Sequence, residues 1–414
     1  MNTRTIRSTL IGSLGVALAL ASGSALATSF RITDLGTLGG TSSEGGALNA
    51  SGQATGSSTT ADGERHAFLW DGTTLLDLGT LGGPSSRGVA LNASGQVTGV
   101  SGTTSGPNQT FLWDGTTMVD LGTLAGGNSS GGTDINASGQ VTVNTFEKEG
   151  GGAAFVWDGR RLQGLGALGG SYSASAAINN SGHVTGGSQT TGGANHAFLW
   201  DGTTMLDLGT LEEGGSSFGT DINDAGQVTG FADSADGFRR AFLWDGTTML
   251  DLGTLSGSFS TSVAINASGQ VAGISETIDG ALHGFLWDGT TLQDLGALGG
   301  SPFNRSLAIN ASGQVTGTDF NADGENAFLW DGTALHDLNA LVDAADPLQS
   351  FVTLLNGIDI NDLEQILVNG IDSRTDLIHA YLVSPIVTVP EPGTLALLGL
   401  GLLGLGLMRR RGAY

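Results

Sequence analysis

A Trp-Asp-Gly triplet recurs along this chain at a nearly fixed interval. Its tryptophan falls at Trp70, Trp113, Trp157, Trp200, Trp244, Trp287 and Trp330, in steps of 43 or 44 residues that use all 7 tryptophans. An Asn-Ala-Ser-Gly-Gln core keeps the same step, with asparagine at Asn49, Asn92, Asn136, Asn179, Asn223, Asn266 and Asn310, then a last step of 51 to Asn361. A period of this length marks an array of supersecondary units. No unit can bury its apolar face alone, so the units must stack.

The unit at 66–99 reads HAFLWDGTTLLDLGTLGGPSSRGVALNASGQVTG. Its 88–92 and 96–100 segments are apolar runs joined by Asn92-Ala93-Ser94-Gly95. That sequence spells a hairpin turn with Gly95 where a left-handed residue is needed. The 66–70 segment is apolar on both strand faces, Phe68 and Trp70 on one and Ala67 and Leu69 on the other. A strand of that kind is buried on both sides. Asp71-Gly72 is a second hairpin turn, 73–78 a more polar strand, and 79–84 a loop. Glycine or a turn pair interrupts the chain about every ten residues, which excludes helices.

Four antiparallel strands per period predict an all-β fold, a β-propeller of four-stranded blades. The rival is an open solenoid, which needs capped ends. The chain ends favour a ring. The 30–36 segment, FRITDLG, matches a unit's fourth strand, and His379-Ala380-Tyr381-Leu382-Val383 matches its third. Paired, they complete one composite blade and give about eight blades. The last unit carries an extra 341–348 segment and Asp362-Leu363-Glu364-Gln365 without the turn glycine. Its hairpin geometry is therefore open, and a cap there would leave seven blades.

The HAFLWDG, DLGTLGG and INASGQVTG signatures resemble the HAF family of bacterial extracellular repeats over roughly 30–384. That resemblance implies secretion and a repeat fold, and no defined activity.

Both ends of the chain differ from the repeats. The 1–27 segment has Arg4 and Arg7, an apolar run and a small-residue site ending at Ala27. This is the pattern of a secretory signal peptide, so signal peptidase would leave Thr28 first. The repeat domain is expected over 28–386. In the 387–414 tail, Pro390-Glu391-Pro392 precedes an apolar helix expected at 394–408, then Arg409, Arg410 and Arg411. The run of about 15 residues, about 22 Å as a helix, is short for a span, and arginines after it would stay in the cytoplasm. This tail resembles the PEP-CTERM sorting signal. The resemblance implies recognition and removal by exosortase, a membrane protease of Gram-negative bacteria that make extracellular polysaccharide. It further implies transient insertion in the inner membrane and display outside the cell.

Composition narrows function by exclusion. The sequence has 39 acidic and 15 basic residues, a formal net charge of −24 and no cysteine. Five of the basic residues lie in the two end segments. Binding to DNA, RNA or anionic lipid is disfavoured, because basic residues supply that affinity. Disulfides and thiolate metal sites are excluded.

Candidate chemistry is sparse. Asp62, Asp236, Asp279 and Asp323 precede glycine in the loop before the third strand and read as turn residues. Calcium is the minor alternative, since it needs several converging oxygens. Asp134, Asp221 and Asp359 replace an apolar residue just before the repeat asparagine and would stand near the mouth of a central channel. Paired carboxylates there could act on sugars, but no companion cluster accompanies them. His66, His196, His283 and His379 open the third strand in only some units, too scattered for a metal site. The Asn-x-Ser glycosylation pattern at six of the repeat asparagines is explained by the turn. The tryptophans read as core, although exposed ones could stack on sugar rings.

The expectation is thus a non-enzymatic secreted or cell-surface protein without a cofactor, structural or adhesive in an extracellular polysaccharide (biofilm) matrix. The alternative is a carbohydrate-binding or polysaccharide-cleaving module. It would require carboxylates, aromatics, histidines or arginines gathered on one face beyond the repeat consensus. No such cluster is evident in the linear sequence.

Overall fold

The computed structural model describes residues 29–123, 128–147, 151–298, 303–321 and 324–386. The expected signal peptide with Ala27 and Thr28, Asp323, and the tail with Pro390, Glu391, Pro392, the 394–408 helix and Arg409, Arg410 and Arg411 lie outside the described residues.

Blade I runs from an inner strand Gly39–Leu48 through Ala54–Thr60 and Arg65–Trp70 to an outer strand Leu75–Gly79, each antiparallel to its neighbour. Blade II repeats this with Gly82–Leu91, Val97–Thr103, Asn108–Trp113 and Met118–Asp120. Blades III to VII begin with inner strands Ser129–Ile135, Gly169–Ile178, Ser217–Ile222, Ser256–Ile265 and Phe303–Ile309. Blade VIII is Val352–Ile360, Ile366–Asp372 and Leu377–Pro385, completed by Phe30–Asp34 from the other end of the chain. The protein is an eight-bladed β-propeller. Single parallel bridges, Arg65 to Ser85 and Leu282 to Phe303, additionally join blades I with II and VI with VII.

The loop expected over 79–84 is shorter than that. Gly79 and Gly82 have φ of 72° and 95° and turn the chain quickly, so the next inner strand already pairs at Gly82 with Thr103. Only glycine adopts such angles without steric cost.

Blade VIII closes the ring. Phe30 to Asp34 pair residue by residue with Pro385 to Tyr381. The extra segment of the last unit lies on the other side of the N-terminal strand. A short helix Leu338–Leu341 leads to Val342, which bridges Phe30. The Asp343 N–H donates to the Phe30 carbonyl (2.8 Å), and the Ile32 N–H donates to Asp346 Oδ2 (2.9 Å). The insertion is therefore a clasp over an edge that would otherwise be open to pairing. The missing turn glycine does not disturb the last hairpin. Glu364 takes φ 59° in its place, and the Asn361 N–H still donates to the Gln365 carbonyl. The last unit is a blade, so the count is eight rather than seven.

The core sits between blades. Ala67, Leu69 and Leu78 of blade I pack against Val97, Phe111 and Trp113 of blade II. Phe68 and Trp70 pack the other way, with Leu367, Ala380 and Leu382 of blade VIII. Each third strand is thus shared by two interfaces, which is why its alternate positions are all apolar. Trp157 is half-buried and the other six tryptophans are buried. Serines stitch neighbouring blades. Ser86 of blade II accepts from the Ala67 N–H (2.8 Å) and donates to the Gly79 carbonyl (2.5 Å). Ser43 makes the equivalent bond across the seam, accepting from Ala380 N–H at 3.0 Å.

Candidate functional site

The repeat asparagines form a closed circle around one mouth of the ring. The Asn49 side-chain amide donates to the Asn92 carbonyl at 3.0 Å, and Asn92 in turn to Asn136 at 3.1 Å. The relay continues through Asn179, Asn223, Asn266, Asn310 and Asn361. Asn361 returns to the Asn49 carbonyl at 3.0 Å. Each asparagine also holds its own turn. Asn92 Oδ1 accepts from the Ser94 and Gln96 N–H groups, and its amide also donates to Gln96 Oε1 at 2.7 Å. One side chain thus makes the hairpin and welds it to the next blade, and in doing so the buried Asn92 has both its amide and its carbonyl oxygen hydrogen-bonded. The turn glycine is needed twice over. Gly95 has φ 76°, and a Cβ there would meet Gln53 of the preceding blade at 3.3 Å. The mouth holds shallow depressions of about 430 and 280 Å³, lined by these asparagines and by Ile135, Ile178 and Ile309.

Asp134, Asp221 and Asp359 lie on inner strands two residues before the asparagines of this circle. Asp134 Oδ1 accepts from Ile135 N–H and Oδ2 from Ile178 N–H of the following blade, at 2.8 and 2.9 Å. Asp221 joins Ile222 to Ile265 in the same way, and Asp359 joins Ile360 to Leu48 across the seam. Burial pushes Asp134 and Asp359 up to about 6 against these backbone donors. Asp221 reaches about 7, raised further by the charge of Asp134. Both oxygens of each carboxylate are engaged in joining blades.

The histidines at the start of the third strand face the aspartate of the Asp-Leu-Gly motif on the outer strand. His66 Nδ1 lies 2.9 Å from Asp77, His196 2.9 Å from Asp207, and His283 2.9 Å from Asp294. His379 reaches Asp34 at 3.0 Å, tying the two ends of the chain together, and this partner raises its pKa. The 11-residue His-to-Asp spacing within single units was visible in the sequence and is the signal that linear reading passed over. Of the loop aspartates, Asp236 accepts from Ser234 and Phe238 and pairs with Arg240, and Asp279 accepts from Thr277. Among the described residues no three His, Asp or Glu side chains converge as metal ligands.

The Trp-Asp-Gly turns face the same side as the asparagine circle. Asp71 Oδ1 accepts from the Thr73 and Thr74 N–H groups at 2.8 Å. Asp114 and Asp245 make the same contacts, which hold each carboxyl down at about 2.

The opposite side of the ring carries a feature with no counterpart in the consensus. Between blades I and II, Glu44, Ser57, Arg65, Ser85, Arg87 and Asn108 surround a cleft of about 160 Å³, with Val100 as an apolar wall. Arg65 Nη2 pairs with Glu44 at 2.8 Å, and its Nε donates to Ser57 Oγ at 2.9 Å. This cluster is invisible in the linear chain, because its members are up to 64 positions apart and come from two units.

Residues 388–411 match the PEP-CTERM protein-sorting motif. That motif implies export by the exosortase route to the cell surface or beyond, with processing by exosortase. None of the curated proteins matches the chain. Among solved structures, the chain is similar to the β-propeller domain of the trilobed protease from Pyrococcus furiosus. Identity is 9%, coverage 78% of this chain and 99% of that one, and the TM-score 0.48. It is also similar to a puromycin-hydrolyzing peptidase from Mycobacterium tuberculosis (13% identity, 84% and 61% coverage, TM-score 0.48). A third similarity is to the lectin of Aleuria aurantia (13%, 66% and 96%, TM-score 0.33).

Proposed function

We propose that the chain is a non-enzymatic scaffold or adhesive protein of an extracellular polysaccharide layer. A signal peptide would deliver it across the inner membrane, and the tail would hold it there until exosortase releases it. The observation that carries this reading is where the ring ends. The Ile386 N–H donates to the Ser29 carbonyl at 2.9 Å, so residues 29 and 386 lie side by side where the two outermost strands of blade VIII begin and end. The sorting tail begins two residues later, and its removal would cut no strand of the ring. The carboxylates of the inner strands fit a structural role, since their oxygens are engaged by backbone.

Intact-mass measurement of extracellular protein tests the proposal. The mature chain is expected to end near residues 388 to 394. Changing Pro390, Glu391 and Pro392 together to alanine is expected to leave a membrane-bound precursor. Extracellular protein that still carries Arg409, Arg410 and Arg411 would overturn the sorting step.

A further inference from the structure

The cleft between blades I and II differs from its counterparts at three other interfaces in what fills it. At the III/IV interface the residue in place of Ser57 is Asn144, which bonds the Ser175 backbone of the next blade at 2.8 and 2.9 Å. At the IV/V interface Gly187 replaces Ser57 and Phe218 replaces Arg87. The Phe218 ring lies over Gly187 so closely that a Cβ there would be 2.4 Å from it. Phe218 also stacks on Phe231 at 5.9 Å, and Arg239 covers that ring at 4.3 Å. At the VII/VIII interface Asn356 reaches Glu325 at 2.7 Å. In each case side chains occupy the space or bond across it.

Between blades I and II they leave it open. Arg65 is spent on Glu44 and Ser57, which fixes one wall. Arg87, exposed on the inner strand of blade II, has no hydrogen-bond or ion-pair partner among the described residues, and neither do the side chains of Ser85 and Asn108. The chain has 39 carboxylates and 15 basic groups, and the carboxylate of Glu44, taken by Arg65, leaves the Arg87 guanidinium unpaired among the described residues. A guanidinium presents a planar fork of donors that matches a carboxylate. Hydroxyl, amide and carboxylate groups beside it offer donors and acceptors for sugar hydroxyls, and Val100 offers a surface for the apolar face of a ring. The volume is below the ~300–1,000 Å³ of pockets that enclose drug-sized ligands. It suits one ring of a chain whose other residues stay in solvent.

The geometry points to a binding site for a carboxylated sugar residue of an acidic polysaccharide, its carboxylate on Arg87 and its hydroxyls on Ser85, Asn108 and Glu44. This deepens the adhesive reading by giving it a ligand class, and it rests on that reading only for where such a polymer would be met.

Titration calorimetry on the full chain in detergent micelles tests the site without requiring export. The probes are a trigalacturonate, the neutral methyl glucoside, and acetate. Trigalacturonate is expected to bind, with methyl glucoside and acetate each at least about tenfold weaker, since either lacks one half of the recognition. Arg87→Ala is expected to weaken trigalacturonate about tenfold or more. Arg87 is exposed, so the melting temperature should stay unchanged. Arg161→Ala, an exposed arginine on another blade, should bind as the unaltered chain does. Acetate binding as tightly as trigalacturonate would reduce the site to a simple anion site and overturn the proposal. So would trigalacturonate binding that survives Arg87→Ala, or no trigalacturonate binding at all. None of these outcomes bears on the processing of residues 388–411, which the intact-mass measurement judges separately.

Discussion

Blades II and VIII have the same four strands and differ in how they obtain them. Blade II is drawn from one continuous stretch and keeps the Trp-Asp-Gly and Asn-Ala-Ser-Gly-Gln cores of the repeat. Blade VIII takes its outer strand from the other end of the chain, and most departures from the signature collect there. It carries the extra 341–348 segment, Tyr381 where blade II has Phe111, and Glu364 where blade II has Gly95. Asn339, just ahead of that segment, clips it to the inner strand, donating to the Leu354 carbonyl and accepting its N–H at 3.0 and 2.7 Å. A blade connected by short turns holds its outer strand at high effective concentration, because short loops cost little closure entropy. The outer strand of blade VIII has no such loop. It is gripped from both sides instead, by Leu377–Pro385 and by the clasp.

Removing residues 28–36 should break this comparison with the largest effect. The deletion takes away Phe30, Ile32 and Leu35, all buried, together with the strand pairing and the His379–Asp34 contact. Each apolar side chain contributes about 1.5–3 kcal/mol. A loss of that total should lower the melting temperature by about 10 °C or more. A scan that shows no change would mean that the ring does not depend on its closing strand.

The parts of this fold that were legible in sequence are those that a single unit contains. The hairpin turn at Gly95, the doubly buried strand at Phe68 and the split unit at the two ends all follow from local pattern and period. What joins unit to unit was not legible. The asparagine amide reaches a carbonyl 43 or 44 residues away, and Ser86 reaches back to Ala67 and Gly79. The repetition of those residues announces a role, but only the stacking of blades shows which partner they meet. The cleft at Arg87 was hidden for the opposite reason. Its residues are departures from the repeat, and in a single sequence a departure resembles drift.

The inner-strand aspartates sharpen the comparison at intermediate size. Asp134 and Asp221 bridge neighbouring blades within the continuous chain, whereas Asp359 bridges blade VIII to blade I across the seam. All three carboxyls titrate higher in the folded protein than the ~3.9 of an unfolded chain. The folded state therefore holds their protons longer. The stability this confers is complete below pH ~4 and is lost as pH rises through about 6 for Asp134 and Asp359 and about 7 for Asp221. The turn carboxyls run the other way. Asp114 and Asp245, held at about 2, stabilise above pH ~4 and lose that contribution as pH falls toward 2. The melting temperature should thus peak near pH 4–5 and decline toward pH 8. The triple change of Asp134, Asp221 and Asp359 to alanine, the residue at this position in blades I, II, IV, VI and VII, should flatten that decline. A decline of undiminished steepness in the triple variant would remove these groups as its cause.

The smallest effect tests the turn itself by exchanging the two blades' solutions. Gly95 and Glu364 occupy the same place in their hairpins, with φ of 76° and 59°, and both hairpins keep the asparagine contacts. An L-residue in the left-handed region costs roughly 1–2 kcal/mol relative to glycine. Glycine gives back part of this by losing more backbone freedom on folding. Glu364→Gly should therefore stabilise by no more than about 1 kcal/mol. Gly95→Val meets two penalties, since a β-branched residue is strained at positive φ and its Cβ would press on Gln53 of blade I. It should cost more than about 1 kcal/mol, the reverse in sign of the blade VIII change. Denaturant melts of the two variants give the comparison directly. If both substitutions destabilise, Glu364 contributes something at the seam that the backbone angle alone does not explain. If neither shifts the midpoint, positive φ is not what the repeat glycine supplies.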